Sequence, residues 1–174
     1  MDSSTDYFTV FELPAGFEID KALLKTRYLS LQKQFHPDRV AGESAQQQRL
    51  AVQSAALVNQ AYAVLSSPVQ RAHYLLELAG LESGTEQTHT GIDFLTAQME
   101  LRENLAEVRQ SQQPFDKLFE LEAQVVQAFS TLEKEFAQAY EQGDLDGARV
   151  VLDKMQFYDK LRADIELLED ELDD

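Results

Sequence analysis

Cysteine is absent from this 174-residue chain, proline occurs only four times, and no long apolar run is present. The missing cysteines exclude disulfides, thiolate-held zinc and cysteine-ligated iron–sulfur clusters, and they suit a reducing compartment. Scarce proline, together with the lack of Val/Ile/Thr stretches alternating in polarity, excludes extensive β-sheet and predicts helix almost throughout. No segment approaches the roughly 18 apolar residues that a membrane span requires. The first residues, Met1 to Asp6, have neither basic charge nor an apolar core. They predict neither a signal nor a transit peptide, so the cytoplasm is the expected location. Internal repeats and low-complexity tracts are also lacking.

What is abundant is acid, and it is unevenly placed. The net charge is −16, yet residues 1–80 hold seven Lys/Arg against eight Asp/Glu, whereas residues 81–174 hold eight against twenty-three. The two halves are therefore expected to present different surfaces. An acidic second half excludes a nucleic-acid backbone as its partner, which needs clustered cations. The one basic stretch is residues 21–35, with Lys21, Lys25, Arg27 and Lys33 and no acid among them.

Local signals divide the chain into helices. A short helix from Tyr7 to Leu13 is stopped by Pro14. Asp20 caps a second from Lys21 to Phe35, whose apolar stripe is Leu24, Tyr28, Leu31 and Phe35. A third spans Ala45–Leu65, and Ser67-Pro68 opens a fourth that closes at Gly80. Glycine, serine and threonine crowd residues 80–91, the expected linker. Three further helices are predicted over 92–110, 114–142 and 144–172, with Gly143-Asp144 supplying a stop and the next cap. Short connections make neighbours antiparallel, giving a three-helix bundle. The expected organisation is all-α, with domains at 1–79 and 92–174 joined by 80–91.

His36-Pro37-Asp38 stands where the basic helix must end, because Pro37 forces its predecessor out of helical geometry. The tripeptide is then presented on a turn rather than buried. Alone it is a weak signal and has an ordinary reading as a polar loop. Its context is the basic helix before it, Tyr7-Phe8-Thr9-Val10-Phe11-Glu12-Leu13 upstream, and the run from Val58 through Ser67-Pro68 to Tyr74 downstream. Together these resemble a J-domain over residues 6–76.

Arg71-Ala72-His73-Tyr74-Leu75-Leu76, the stretch Phe94–Glu103 and Phe157-Tyr158-Asp159-Lys160-Leu161-Arg162 extend the resemblance. With them nearly the whole chain is similar to the HscB family of J-type co-chaperones of iron–sulfur cluster assembly. The resemblance implies that the chain is not an enzyme and has no cofactor or resident metal. It implies a protein that switches on the ATPase of an HscA-type chaperone and brings it an IscU-type scaffold. By the same resemblance, His36, Pro37 and Asp38 contact the chaperone, with Asp38 as the charged group and Lys25, Arg27 and Lys33 beside it. General J-domains often carry a basic pair midway along this helix, where this chain has Leu29 and Ser30. A J-protein serving a different client is the alternative. A monomer is expected, with no membrane or nucleic-acid partner.

The helix from Ile92 carries two apolar faces at about 100° per residue. Phe94, Leu101, Leu105 and Val108 share one, while Leu95 and Met99 lie about a third of a turn away. A second apolar face is either packed or open to a partner. Leu95, Met99 and Phe157 are expected to form an open apolar patch, with Glu100 and Glu103 at its rim. The family places scaffold contacts at these positions, and Thr96 stands where a relative often has an apolar residue. Core packing is the competing reading of all three apolar positions, and Met99 adapts easily to an interior.

Two enzyme readings fail on composition. His36 and Asp38 lack an accompanying nucleophile or glycine-rich anion cradle. Glu86 and His89 have the spacing of a carboxylate-bundle metal ligand pair, but such sites need two copies on helices.

Overall fold

The computed structural model describes residues 6–40, 42–81 and 91–173, with Pro37 and Val40 described by backbone alone. All regular structure among them is α-helical: α1 Tyr7–Val10, α2 Lys21–Gln34, α3 Pro37–Val40, α4 Ala45–Ser66, α5 Pro68–Leu78, α6 Ile92–Val108, α7 Pro114–Glu141 and α8 Leu145–Asp173. The chain divides into two compact units, Met1–Leu75 and Leu76–Asp174. The expected linker, including Glu86 and His89, lies outside the described residues except at its ends.

Side chains start these helices: Asp20, Ser67 and Asp144 as the sequence indicated, Ser44 with Gln47 as it did not. Asp20 accepts from the Leu23 amide (2.9 Å), and Ser44 and Gln47 form a reciprocal capping box at the start of α4. Ser67 accepts from the Gln70 amide (3.3 Å), and Asp144 from the Gly147 amide (2.9 Å).

Three of the helix ends share one device. After α5 and α7, Gly80 and Gly143 adopt φ of 83° and 75°, and the next amide reaches back to Leu76 or Ala139 in a Schellman closure. After α1 the same closure is built on Glu12, at φ 50°, with the Leu13 amide donating to the Phe8 carbonyl (2.9 Å). This is why α1 stops at Val10 rather than at Leu13: the chain has turned before Pro14 acts.

In the first unit α2 and α4 pack antiparallel. Tyr28 stacks on Tyr62 with centroids 3.9 Å apart, while Gln32, a turn later, reaches Asn59, nearly a turn earlier on α4 (3.4 Å). Phe8, Phe11, Leu24, Val58, Leu65 and Leu75 fill the core. Of the expected α2 stripe only Leu24 is fully buried; Tyr28, Leu31 and Phe35 are half-buried. Part of the interior is instead taken by a cation. Arg71 is buried, donates to the carbonyls of Phe17 (2.8 Å) and Leu65 (2.5 Å), and lies 4.9 Å from the Phe17 ring centroid. A buried charge is tolerated only when partnered in this way. It ties the connection before α2 to the α4–α5 corner.

The second unit is an antiparallel bundle of α6, α7 and α8. Helix α6 has 17 residues and α7 has 28. At 1.5 Å per residue α6 therefore spans only about 26 Å of a partner about 42 Å long. Val108, Leu118, Leu121, Val125, Leu161, Ile165 and Leu168 form the core where all three meet, and Phe94, Leu101 and Leu105 pack onto it. Each fully buried Leu or Phe contributes ~1.5–3 kcal/mol relative to exposure. The α6 face that supplies this packing is the one the sequence periodicity indicated.

Candidate docking surfaces

Helix α2 ends at Gln34, Phe35 forms its C-cap, and Pro37 opens the single turn of α3. Proline suits a first helical position because that residue's amide has no partner in any case. The motif is therefore a helix–turn–helix junction of two residues, Phe35 and His36, rather than an open loop, a detail that periodicity over so few residues does not reveal. The Arg39 amide donates to the His36 carbonyl (3.0 Å) and fixes the turn. Its side chains point outward: Asp38 is 91% exposed and His36 58%. Nδ1 of His36 faces both the Asp38 amide (3.3 Å) and the Asp38 carboxylate (3.6 Å). A neutral ring protonated at Nε2 accepts the amide proton; a cationic ring pairs with the carboxylate. Either way the imidazole braces the aspartate from one side and leaves the other open. The Pro37 side chain lies outside the described residues.

The basic residues do not behave alike. Lys25 and Lys33 are exposed and, with Leu29 between them, lie four apart along one face of α2. Arg27 points elsewhere. Its guanidinium donates to the carbonyls of Phe11 and Glu12 and lies 3.8 Å from the Glu12 carboxylate. The expectation that Arg27 offers a free cation to a partner is corrected: its charge is spent on holding the α1 terminus. Arg39, adjacent to Asp38 and exposed, is a cation the sequence reading passed over.

On α6, Leu95 is 53% and Met99 64% exposed, and Ile92, not singled out from sequence, extends this face at 81%. Glu100 and Glu103 are exposed beside them. Thr96 is exposed too, but its hydroxyl donates back to the Ile92 carbonyl (3.1 Å), which lessens its polar character toward a partner.

Phe157 is not part of that open face. It is 9% exposed, belongs to the core, and meets Phe94 edge to face at 5.7 Å. The Arg102 guanidinium lies 5.5 Å above its ring and the Lys154 ammonium 5.6 Å above that of Phe94. A position at the border of a helical stripe is buried or exposed according to what the neighbouring helix brings, and here α6 brings Phe94 and Arg102. Burial also raises the neighbouring Tyr158 hydroxyl above its ordinary value.

An exposed aspartate braced by histidine at the end of a cationic helix, backed by a second long antiparallel helix, defines a J-domain protein. The DnaJ domain family matches residues 6–74, and the family described as the HSCB C-terminal oligomerisation domain matches residues 92–166. The co-chaperone protein HscB homologs of Photobacterium profundum and Vibrio campbellii are similar throughout. They are 37% and 39% identical, over 95% and 96% of this chain and 97% and 98% of theirs. The solved structure of chaperone HscB from Vibrio cholerae superposes with a TM-score of 0.88 at 36% identity, covering 97% of this chain and 99% of that one. The chain belongs to the HscB family of J-domain co-chaperones. Membership implies an Hsp70-type chaperone as partner.

Proposed function

We propose that the partner is an HscA-type chaperone, whose ATPase the J-domain stimulates, and that the C-terminal bundle delivers an IscU-type iron–sulfur scaffold to it. Residues 1–79 act on the chaperone and residues 92–174 hold the scaffold, in a cytoplasmic monomer that works by binding and transfers no group itself. The observation that carries this reading is the 91% exposure of Asp38, whose carboxylate is free to meet a partner cation. Lys25 and Lys33 lie on the neighbouring helix as steering charges, which chiefly set on-rate and salt dependence. The scaffold face is Leu95 and Met99 with Thr96 between them and Glu100 and Glu103 at the rim. Phe157 supports it from beneath.

The test uses the full chain with an HscA-type chaperone and an IscU-type scaffold. Asp38→Asn removes ATPase stimulation and leaves calorimetric scaffold affinity unchanged. Stimulation surviving in that variant overturns the docking reading. Full stimulation by the unaltered chain without measurable scaffold binding leaves a J-domain co-chaperone for a different client.

A further inference from the structure

Helix α7 carries a second apolar line that its own bundle does not cover. Phe115 is 48%, Phe119 73% and Val126 46% exposed, and the buried Phe129 closes the line. With Glu122 they fall at intervals of 4, 3, 4 and 3 residues, so all share one face, in the spacing of a seam that two helices zip together. This face is separate from that of Leu118, Leu121 and Val125, which fills the bundle core. A phenylalanine left mostly in water adds little to folding. Two of them a turn apart, with a valine beyond, make a patch rather than scattered single residues.

The patch is framed in acid. Glu122 stands exposed inside the seam, and Asp116 and Glu120 are exposed on one flank. The other flank follows from Arg162 of α8, whose guanidinium lies 5.6 Å above the Phe129 ring. Glu166, Glu169 and Asp173 follow Arg162 on the same face of α8, and all three are exposed. Because α8 runs antiparallel to α7, they return alongside the line from Phe129 toward Phe115. Lys117, on the far side of α7, is turned to Glu107 of α6 (3.4 Å).

We infer that this line is a docking seam for an amphipathic helix of a basic partner. Apolar residues of that helix meet Phe115, Phe119 and Val126, and a lysine or arginine stands opposite Glu122. The seam belongs to neither the α6 scaffold face nor the J-domain, and adds a third binding surface to the two proposed above. Charge selects the occupant. A cation opposite Glu122 pairs with it at the centre of the seam and fixes the register, while cations beside the seam meet both acidic flanks. A second copy of this chain would instead bring Glu122 and those flanks against their own kind, which opposes association. From Phe115 to Phe129 the line runs about 21 Å, the length of an ordinary helix.

Fluorescence anisotropy of the full chain with a labelled helical peptide of about three heptads tests this. The peptide seam is leucine except for one central lysine, and further lysines flank it. It binds the unaltered chain, and a scramble of the same composition binds about ten-fold more weakly, because charge alone makes no seam. Phe119→Ser, an exposed position at which circular dichroism checks that the fold is kept, weakens binding about ten-fold, whereas Leu95→Ala leaves it unchanged. Glu122→Lys weakens it too, and a peptide with glutamate for the central lysine restores affinity for that variant. Equal binding of the seam and scrambled peptides, or affinity unmoved by both Phe119→Ser and Glu122→Lys, overturns the proposal. So does sedimentation showing that the chain pairs with itself through this line, in a dimer that Phe119→Ser dissolves.

Discussion

The Arg27 guanidinium on α2 donates to the main-chain carbonyl of Glu12, a residue held at φ 50° where glycine is usual. A long side chain thus secures the turn between α1 and α2 from fifteen residues away at Glu12 and sixteen at Phe11. Arg27→Gln is expected to cost about 1–2 kcal/mol, the lower range for charge-assisted hydrogen bonds because the site is partly exposed. A thermal melt reads this as a lowered midpoint. Stimulation of the chaperone at saturating co-chaperone is expected to stay at its original level below that midpoint, because the Arg27 guanidinium is engaged within its own unit.

Glu12 itself is open to improvement. A non-glycine residue in the left-handed region costs roughly 1 kcal/mol, and the ion pair to Arg27 is exposed and worth less than that. Glu12→Gly therefore stabilises by about 0.5 kcal/mol, whereas Glu12→Val, with a β-branched side chain in the same conformation, destabilises. Chemical denaturation of the two variants orders them on either side of the parent.

Burial separates two apolar residues that the sequence grouped together. Phe157→Ala removes a ring from the second unit's core and costs about 3–5 kcal/mol of stability. Leu95→Ala, at an exposed position, costs under about 0.5 kcal/mol of stability. In a calorimetric titration with an IscU-type scaffold, the partner proposed above, Leu95→Ala is expected to weaken affinity by about 1–2 kcal/mol. A stability loss at Leu95 equal to that at Phe157 would contradict the exposure on which the scaffold face is built.

The start of α8 couples two residues through space. A Cβ at Gly147 would lie 2.1 Å from Oδ2 of Asp144, the side chain that caps the helix. Gly→Ala inside a helix ordinarily gains up to about 1 kcal/mol. Gly147→Ala here gains little, because the carboxylate is pushed off the amide it accepts from. In an Asp144→Ala background the same change recovers its full gain. The coupling energy from that double-mutant cycle is expected at about 1 kcal/mol, and additivity would refute the clash.

Tyr158 supplies a pH signature. Its hydroxyl is raised above 10.0 by burial, so the folded state favours the neutral phenol. Stability from this group is complete below the unfolded value and declines as pH climbs above it, since the unfolded chain releases its proton first. Urea midpoints on the alkaline side fall less steeply in Tyr158→Phe than in the parent.

The sequence was most legible where structure is set locally. Asp20, Ser67 with Pro68, and Gly143 with Asp144 each announce a helix terminus by their own chemistry, and helices α6, α7 and α8 begin and end within two residues of expectation. The exposure of Asp38 followed from Pro37 by the same local logic. What escaped depends on partners distant in the chain. Arg27 reads as one more cation on a basic helix until Phe11 and Glu12 are brought to it. Nothing in the sequence singled out Arg71 as an interior cation, since the Phe17 and Leu65 carbonyls that hold it come from elsewhere in the chain, and Phe157 reads as a surface ring until α6 covers it.

With Arg27 engaged elsewhere, the cationic face of α2 is a line rather than a patch. Lys25 and Lys33 are eight residues apart, a rise of about 12 Å along the axis. An extended strand advances ~3.3 Å per residue, so carboxylates four positions apart on a strand would match that interval closely. On the proposed docking the helix would offer length as well as sign, and a partner with the right charge at the wrong pitch would engage only one end of it.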